Sequence, residues 1–446
     1  MNKKLVILGA GESGVGAALL GKQQGYDVWV SDRGTIGANY KKELEEAGIA
    51  HEENAHDEGI ILSATEIIKS PGIPDTAAII KRIKAANISI ISEIEFAYRY
   101  KGDSKIIAIT GSNGKTTTTS MIYHILSNSN YDVAMVGNIG YSFARQLTIS
   151  TKEYYVIEIS SFQLDDIETF KPDVSIITNI TEDHLDRYDH DIQNYINSKF
   201  RITMNQDNDD VFIYNLDDEI TTNNIQKFNI KATLAPFTMN KEISQGAYLT
   251  NAELHIKWKG EEMQMSVEDF ALKGRHNLAN GLSASLAGVA VGLRKEKIRD
   301  AMHTVESLEH RTETVATIRG MEFINDSKAT NVNSTWFALE NMHKPTVLIL
   351  GGIDKGNNYA TLIELAKEKV KAIICLGVDN VKIHQAFKGV VPVIVDTITM
   401  IDAVNMAYSL GEKGDVVLLS PACASFDLFK SYEDRGSQFK AAVKNL

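Results

Sequence analysis

A series of short apolar runs separated by helix-length stretches restricts this chain to few architectures. The runs are "KLVILGAG" (4–11), "DVWVSD" (27–32), "KIIAITG" (105–111), "DVAMVGN" (132–138), "YYVIEIS" (154–160), "DVSIITN" (173–179), "TVLILGG" (346–352), "AIICLG" (372–377) and "DVVLLSP" (415–421). A strand that is apolar on both faces is covered on both faces, as in a parallel sheet flanked by helices. Alternation with helices predicts repeated βαβ units and an α/β fold. At roughly 150 residues per domain, 446 residues predict three domains. The expected boundaries are 1–97, 98–306 and 307–446. Within the second, the more polar stretch 207–270 contains "GAYLTNAELHIKW" and "EEMQMSVEDFAL", which read as a small antiparallel subsheet.

Composition excludes several classes. The formal net charge of −12 opposes nonspecific nucleic-acid binding, which needs a basic face. No apolar run reaches the length of about 18 residues that a membrane span needs. The opening "MNKKLVILGAGESGVG" has the lysines and apolar run of a signal peptide, but Glu12 interrupts it early. A cytoplasmic protein is expected. Two cysteines, Cys375 and Cys423, are too few and too far apart in sequence for a disulfide framework and read as buried thiols.

In parallel sheets, ligands gather at the carboxyl ends of the strands. The polar residues that follow the apolar runs therefore mark candidate sites: Thr110 to Thr116, Asn138, Glu158 and Asn179 in the second block, and Asp326, Lys355 and Ser420 to Ser425 in the third. The stretch "KIIAITGSNGKTTTTSM" (105–121) joins a strand, a glycine turn, Lys115, Thr116 and a helix. Backbone N–H groups of such a turn and of the helix N-terminus form an anion nest. A lysine there meets terminal phosphates, and a threonine hydroxyl suits magnesium. The spacing G-x-x-x-x-G-K-[ST] is not met, because Ile109 stands where its first glycine would be. A solvated Gly-Ser-Asn turn is the plainer alternative. Glu158 after its strand reads as a metal-binding carboxylate, and "NITEDHLDRYDH" (179–190) adds Asp183 and His184 after another. "GAGESG" is a glycine fingerprint followed by Asp32 at the end of the next strand. It predicts a phosphorylated ligand on that helix N-terminus and, read naively, a nicotinamide cofactor.

The ordered set "TGSNGKTT", "VGNIG", "EISSFQL", "NITEDHLDRY", "GRHNLANGLSA", "EHRTE", "NDSKATN", "GGIDKGNNY" and "LSPACASFD" resembles the Mur ligase family over essentially the whole chain. "SPACASFD", "NDSKATN" and "SSFQL" are similar to members that add D-glutamate. The resemblance implies a Rossmann-like N-terminal domain, a central P-loop-type ATPase domain and a Rossmann-like C-terminal domain. It implies a monomeric ATP-dependent ligase of peptidoglycan biosynthesis that joins D-glutamate to UDP-N-acetylmuramoyl-L-alanine through an acyl phosphate. The shorter G-x-x-G-K-T loop is the family's version of the cradle.

By the same resemblance, Gly111, Ser112, Asn113, Gly114, Lys115, Thr116 and Thr117 hold the ATP phosphates. Asn277, Asn280, Arg311 and Asp326 hold the rest of ATP, Asn280 at the adenine and Asp326 at the ribose. Thr116 and Glu158 serve one Mg2+, and His184 a second. Asn138 positions substrate, and Lys199 is carbamylated and associated with metal. Lys328, Thr330, Lys355, Ser425 and Tyr432 form the D-glutamate pocket, with Tyr432 where the family has phenylalanine. Ser13, Asp32, Arg33 and Gly72 contact the UDP-sugar. The competing readings are a sister ligase for another amino acid and a nicotinamide-dependent oxidoreductase. No Asp-Asn-Pro-Arg string of the diaminopimelate- or lysine-adding type occurs, and the oxidoreductase leaves Lys115, Glu158 and His184 without a task.

Overall fold

The computed structural model describes residues 3–272, 274–306, 308–354 and 356–446. The chain forms two compact units, residues 1–273 with 277–305, and 274–276 with 306–446.

The first unit holds two sheets. The amino-terminal sheet has strands β1 (Lys4–Leu8), β2 (Asp27–Ser31), β3 (Ala50–Glu52), β4 (Glu66–Lys69) and β5 (Ser89–Ile91), in the order β3-β2-β1-β4-β5 and all parallel. Leu5, Val6, Ile7 and Leu8 of β1 are fully buried, as a central strand covered on both faces must be. The second sheet contains β6 (Lys105–Thr110), β7 (Val133–Gly137), β8 (Tyr154–Glu158), β9 (Val174–Ile177), β10 (Val211–Asn215), β11 (Thr233–Thr238), β12 (Gly246–Thr250), β13 (Glu253–Trp258) and β14 (Glu261–Ser266). Its order is β14-β13-β12-β11-β10-β9-β6-β8-β7. Strands β7 to β12 and β6 run parallel, while β13 and β14 are antiparallel to their neighbours. The expected antiparallel subsheet thus exists, but as the continuous outer part of the main sheet. Strands β13 and β14 bury alternate residues and leave those between them half-buried or exposed, the mark of a sheet with one wetter face.

Strand β6 lies between β8 and β9, and its register places the loop that follows it. Ile109 pairs with Glu158 on one side and Ile176 on the other, so the ends of all three strands share one rim. Ile109 is itself fully buried in the core that packs Met121, Ile122 and Ile125 of the helix Lys115–Asn128. That position belongs to the strand, and the glycine turn begins two residues later.

The second unit is built on a six-stranded sheet of β15 (Glu313–Ile318), β16 (Met321–Asn325), β17 (Thr346–Leu350), β18 (Val370–Leu376), β19 (Val393–Thr397) and β20 (Val416–Leu419), ordered β15-β16-β20-β17-β18-β19. Only β15 is antiparallel. Its two faces carry separate apolar clusters, one around Leu348, Leu350 and Phe387, the other around Val347, Ile349 and Phe439. Each apolar run named from the sequence forms a strand of one of these sheets.

Candidate functional site

In the first unit, the turn after β6 has a backbone that glycine adopts readily and leaves no room for a Cβ. Gly111 and Gly114 have φ of +148° and +81°, and Gly114 caps the helix Lys115–Asn128 in the left-handed region. A Cβ at Gly111 would stand 1.9 Å from Thr178 Oγ1, and one at Gly114 2.4 Å from Asn280 Oδ1. Residues that follow β9 hold the turn from below. Asn113 N donates to Asn179 Oδ1 at 3.0 Å, Thr178 Oγ1 donates to the Asn113 carbonyl at 2.6 Å, and Ser112 N donates to the Asn179 carbonyl at 2.9 Å. Ser112 Oγ donates to the Thr181 carbonyl at 2.9 Å and lies 3.2 Å from the Tyr195 hydroxyl.

Two lysines converge here. Lys115 Nζ donates to the Gly111 carbonyl at 2.8 Å and to the Ser112 carbonyl at 2.9 Å. Lys199 Nζ, from the helix Ile192–Phe200, donates to the same Gly111 carbonyl at 2.8 Å and lies 4.4 Å from the centroid of the Tyr195 ring. Lys199 is only 1% exposed. Burial, reinforced by the Lys115 ammonium, holds its amine well below the usual lysine range, although Asp183 and Asp165 pull the other way. A neutral amine is the form that adds to carbon dioxide, so this environment meets the chemical requirement for a carbamate.

Glu158 closes the rim beside β6. It is buried, and Asn138 Nδ2 donates to its Oε1 at 2.9 Å while Asn138 N donates to its carbonyl at 2.8 Å. Thr116 is buried in the first turn of the helix. A carboxylate and a hydroxyl are hard oxygen donors of the kind magnesium takes, and Glu158 has the register that puts it level with the turn. His184 has a left-handed backbone, φ +54°, and packs edge-on against Phe162 with Asp183 at 3.7 Å. Arg187 lies over the other part of that contact, 4.5 Å from the Phe162 centroid, and donates to the carbonyls of Pro71, Gly72 and Ile73.

Some of these groups line one cavity of about 310 Å³, in whose wall Thr116 and Glu158 do not appear. Lys115, Asn138, His184 and Lys199 line it, together with Gly72 from the amino-terminal sheet. The structure thus brings together side chains that lie far apart in sequence. Asn280 also joins the turn, accepting from Thr118 Oγ1 at 3.3 Å. Asn277 lies one turn earlier on the same helix, Arg275–Ala290.

Ser13, Asp32 and Arg33 do not line that cavity. Asp32 is occupied with backbone N–H groups of two loops. Its Oδ2 accepts from Ala10 N at 2.7 Å and its Oδ1 from Gly34 N at 2.8 Å, so it braces the glycine fingerprint. Ser13 is in the first turn of the helix Glu12–Gln23, and Arg33 is exposed.

In the second unit, Asp326 follows β16 and Ser420 follows β20. Ser420 Oγ donates to Asp326 Oδ2 at 2.8 Å, and Thr312 N donates to Asp326 Oδ1 at 3.2 Å. Burial pushes the Asp326 carboxyl up to about 7, against the opposing pull of that serine and of nearby Arg311. The Lys328 ammonium lies 5.0 Å from the centroid of the Tyr432 ring, a cation–π contact. Buried Arg435 ties the loops together. Its Nε donates to Ser327 Oγ at 3.0 Å, and its other nitrogens reach the Ser327 carbonyl at 2.8 Å and the Cys423 carbonyl at 3.2 Å. Ser425 is buried just beyond that anchor, and Thr330 follows Lys328 in a turn in which its N–H donates to the Lys328 carbonyl. Lys355 lies outside the described residues.

Several residues that shape these sites carry no role in the sequence reading. Asn179 stands on the predicted rim, yet its work of holding the turn depends on β9 lying beside β6. Tyr195 and Arg435 sit in helices whose pattern gives no hint that their polar ends point inward. The i, i+4 relation of Tyr195 to Lys199, which places both on one helix face, is the one available clue.

Three family models match the chain: "Mur ligase MurD-like, N-terminal domain" over residues 3–92, "Mur ligase middle domain" over 109–288 and "Mur ligase, glutamate ligase domain" over 310–423. A UDP-N-acetylmuramoylalanine–D-glutamate ligase of Christiangramia forsetii is 50% identical over 446 residues, with each chain covered completely. A protein of the same name from Bacteroides fragilis is 53% identical over 445 residues, again with 100% of both chains covered. Among solved structures, a UDP-N-acetylmuramate–alanine ligase of Thermotoga maritima shares the fold at a TM-score of 0.64 and 17% identity, covering 100% of both chains.

Proposed function

The chain belongs to the Mur ligase family, and from that premise we propose that it joins D-glutamate to UDP-N-acetylmuramoyl-L-alanine at the expense of ATP. The substrates follow from relatives of that name, which match the chain from end to end at half identity. The observation that carries the chemistry is the pair of lysine amines meeting at the Gly111 carbonyl beside a helix N-terminus and a buried carboxylate. Of these, the Lys115 ammonium and the N-terminus of the helix Lys115–Asn128 supply the positive potential that suits a triphosphate and the charge that develops as it is cleaved, while the buried Lys199 amine is neutral.

Amide formation from a free carboxylate needs an activated acyl group. In the proposed reaction, a carboxylate oxygen of the L-alanyl end attacks the γ-phosphorus and ADP leaves. The D-glutamate amine then attacks the carbonyl carbon, and phosphate departs from the tetrahedral intermediate as the nitrogen loses its proton. Both steps gather charge on oxygens, so cationic positioning is the main catalytic task. The amides of residues 111–117 cradle the phosphates, and Lys115 holds the β- and γ-oxygens. Magnesium supplies charge neutralisation at the phosphates. Thr116 and Glu158 would hold one ion, and His184 with a carbamylated Lys199 a second. Asn138, fixed by Glu158, orients the acceptor carboxylate. Asn277, Asn280, Arg311 and Asp326 are assigned to the rest of ATP, Asn280 to the adenine and Asp326 to the ribose. Lys328, Thr330, Lys355, Ser425 and Tyr432 receive D-glutamate, a dicarboxylate that needs cations and hydroxyls. Gly72, Ser13, Asp32 and Arg33 serve the UDP-sugar, Asp32 by holding the loop that meets the diphosphate.

The domain boundaries belong at 97/98 and 306/307, which leaves each family match inside one domain. The reading makes the protein a cytoplasmic monomer. No helix among the described residues is long and apolar enough to cross a membrane.

Phosphate release in the presence of UDP-N-acetylmuramoyl-L-alanine, ATP and Mg2+ tests the assignment when the amino acid is varied. Release with D-glutamate and not with L-lysine, diaminopimelate or L-alanine is expected. Release with one of the others alone would transfer the chain to a sister activity.

A further inference from the structure

Cys375, His384 and Asp396 lie outside every residue assigned above, and the sheet register brings them together. Cys375 and Asp396 are direct neighbours on the parallel strands β18 and β19, so their side chains leave the same face. The helix Val381–Phe387 crosses that face and presents His384. His384 Nε2 is 2.8 Å from Asp396 Oδ2. Asn380, just before the helix, donates from Nδ2 to Asp396 Oδ1 at 2.9 Å and fixes the carboxylate so that its second oxygen faces the imidazole. The cysteine sulfur, an imidazole nitrogen and a carboxylate oxygen all fall within 4.8 Å of one another.

We propose that these three side chains form a binding site for a thiophilic divalent transition-metal ion of the zinc class. Around a tetrahedral zinc, with bonds of about 2.0–2.3 Å, donor atoms stand roughly 3.5 Å apart. With every separation within 4.8 Å, closure by at most about 1.3 Å is needed on that scale. His384 and Asp396 are 42% and 53% exposed, so their side chains have the freedom to do it. The ion enters between the imidazole and the carboxylate, replacing the proton they share. Asn380 is then the outer partner that orients the carboxylate, the role such hydrogen bonds play at metal sites generally. A thiol, an imidazole and one carboxylate select zinc or cobalt over magnesium or calcium, which take oxygen donors. An open groove of about 1180 Å³ is lined by His384 and Asp396, which gives the ion a path and leaves a position for water. Cys375 closes the site from the core side, where it is fully buried. Burial pushes its thiol up to about 12, so binding must expel that proton to the solvent. No electron transfer is involved.

Cobalt titration of the full chain, with magnesium in excess to occupy oxygen sites, reads the thiolate directly through its charge-transfer absorption. One Co2+ per chain with that absorption is expected, displaced by one equivalent of Zn2+. The absorption disappears in Cys375→Ala, persists in Cys423→Ala, and requires at least about tenfold more cobalt in His384→Ala and Asp396→Asn. His384→Ala alters an exposed residue and keeps the test valid if Cys375→Ala folds poorly. No thiolate absorption in the parent chain, its survival in Cys375→Ala, or an unchanged midpoint in His384→Ala would overturn the proposal.

Discussion

Replacing Gly114 by alanine tests the turn that carries the proposed phosphate site. The backbone there has φ +81°, and an L-residue in the left-handed region costs about 1–2 kcal/mol. The new Cβ would also stand 2.4 Å from Asn280 Oδ1, roughly 1 Å inside ordinary contact. Asn280 is 8% exposed, so its amide must withdraw within a packed interior and give up the hydrogen bond from Thr118. A buried bond of that kind contributes about 0.5–1.5 kcal/mol. Together the two effects give about 2–3 kcal/mol, or a fall in melting temperature of roughly 3–5 °C at about 1.6 °C per kcal/mol for a unit of about 300 residues. Thermal unfolding followed by circular dichroism measures it. The steric part vanishes when Asn280 is also truncated, so Gly114→Ala in an Asn280→Ala background should cost about 1 kcal/mol less than in the parent. Melting of Gly114→Ala within a degree of the parent, or additive losses in the double variant, would refute the argument from backbone and contact.

Other outcomes follow from individual side chains. Lys199→Ala should lose ligase activity and regain part of it on addition of short-chain carboxylic acids, which replace the carbamate; full activity without additives would remove that role. Glu93 is buried, accepts from Ala144 N through Oε1, and has its carboxyl pushed up to about 8 by burial. The folded chain therefore holds a proton there that the unfolded chain has released. Stability is expected to fall as pH rises from the ordinary carboxylate range through 8, and Glu93→Gln should flatten that part of the profile in denaturant titrations. A parallel decline in both proteins would show that Glu93 does not cause it.

The strands were legible because burial on both faces writes a continuous apolar run. "KIIAIT" and "VVLL" could be nothing else between such helices. Short edge strands were harder: β3, "AHE", has no fully buried residue and depends on β2 for its conformation. The antiparallel β15 likewise lies at a sheet edge and contains no fully buried residue. The glycine turn and Glu158 were legible because they follow strands immediately, and strand ends share a rim whatever the order of the sheet. The placement of Lys199 at the Gly111 carbonyl was not derivable from its helix. Nothing in "INSKF" shows that this lysine faces inward; only the resemblance singled it out. Asp32 shows the reverse: a residue expected at a ligand spends both carboxylate oxygens on backbone N–H groups, one in its own loop and one in the glycine fingerprint. Strand-end position predicts where a side chain is, but its hydrogen-bond partners are settled by tertiary packing.

Oxygen tracing follows the acyl phosphate most directly. UDP-N-acetylmuramoyl-L-alanine labelled with 18O in its terminal carboxylate is turned over with ATP, Mg2+ and D-glutamate, and the released phosphate is analysed by mass. One labelled oxygen in each phosphate is predicted, because the carboxylate oxygen that attacks the γ-phosphorus leaves with it. Unlabelled phosphate accompanying amide formation would contradict activation of the carboxylate by phosphoryl transfer.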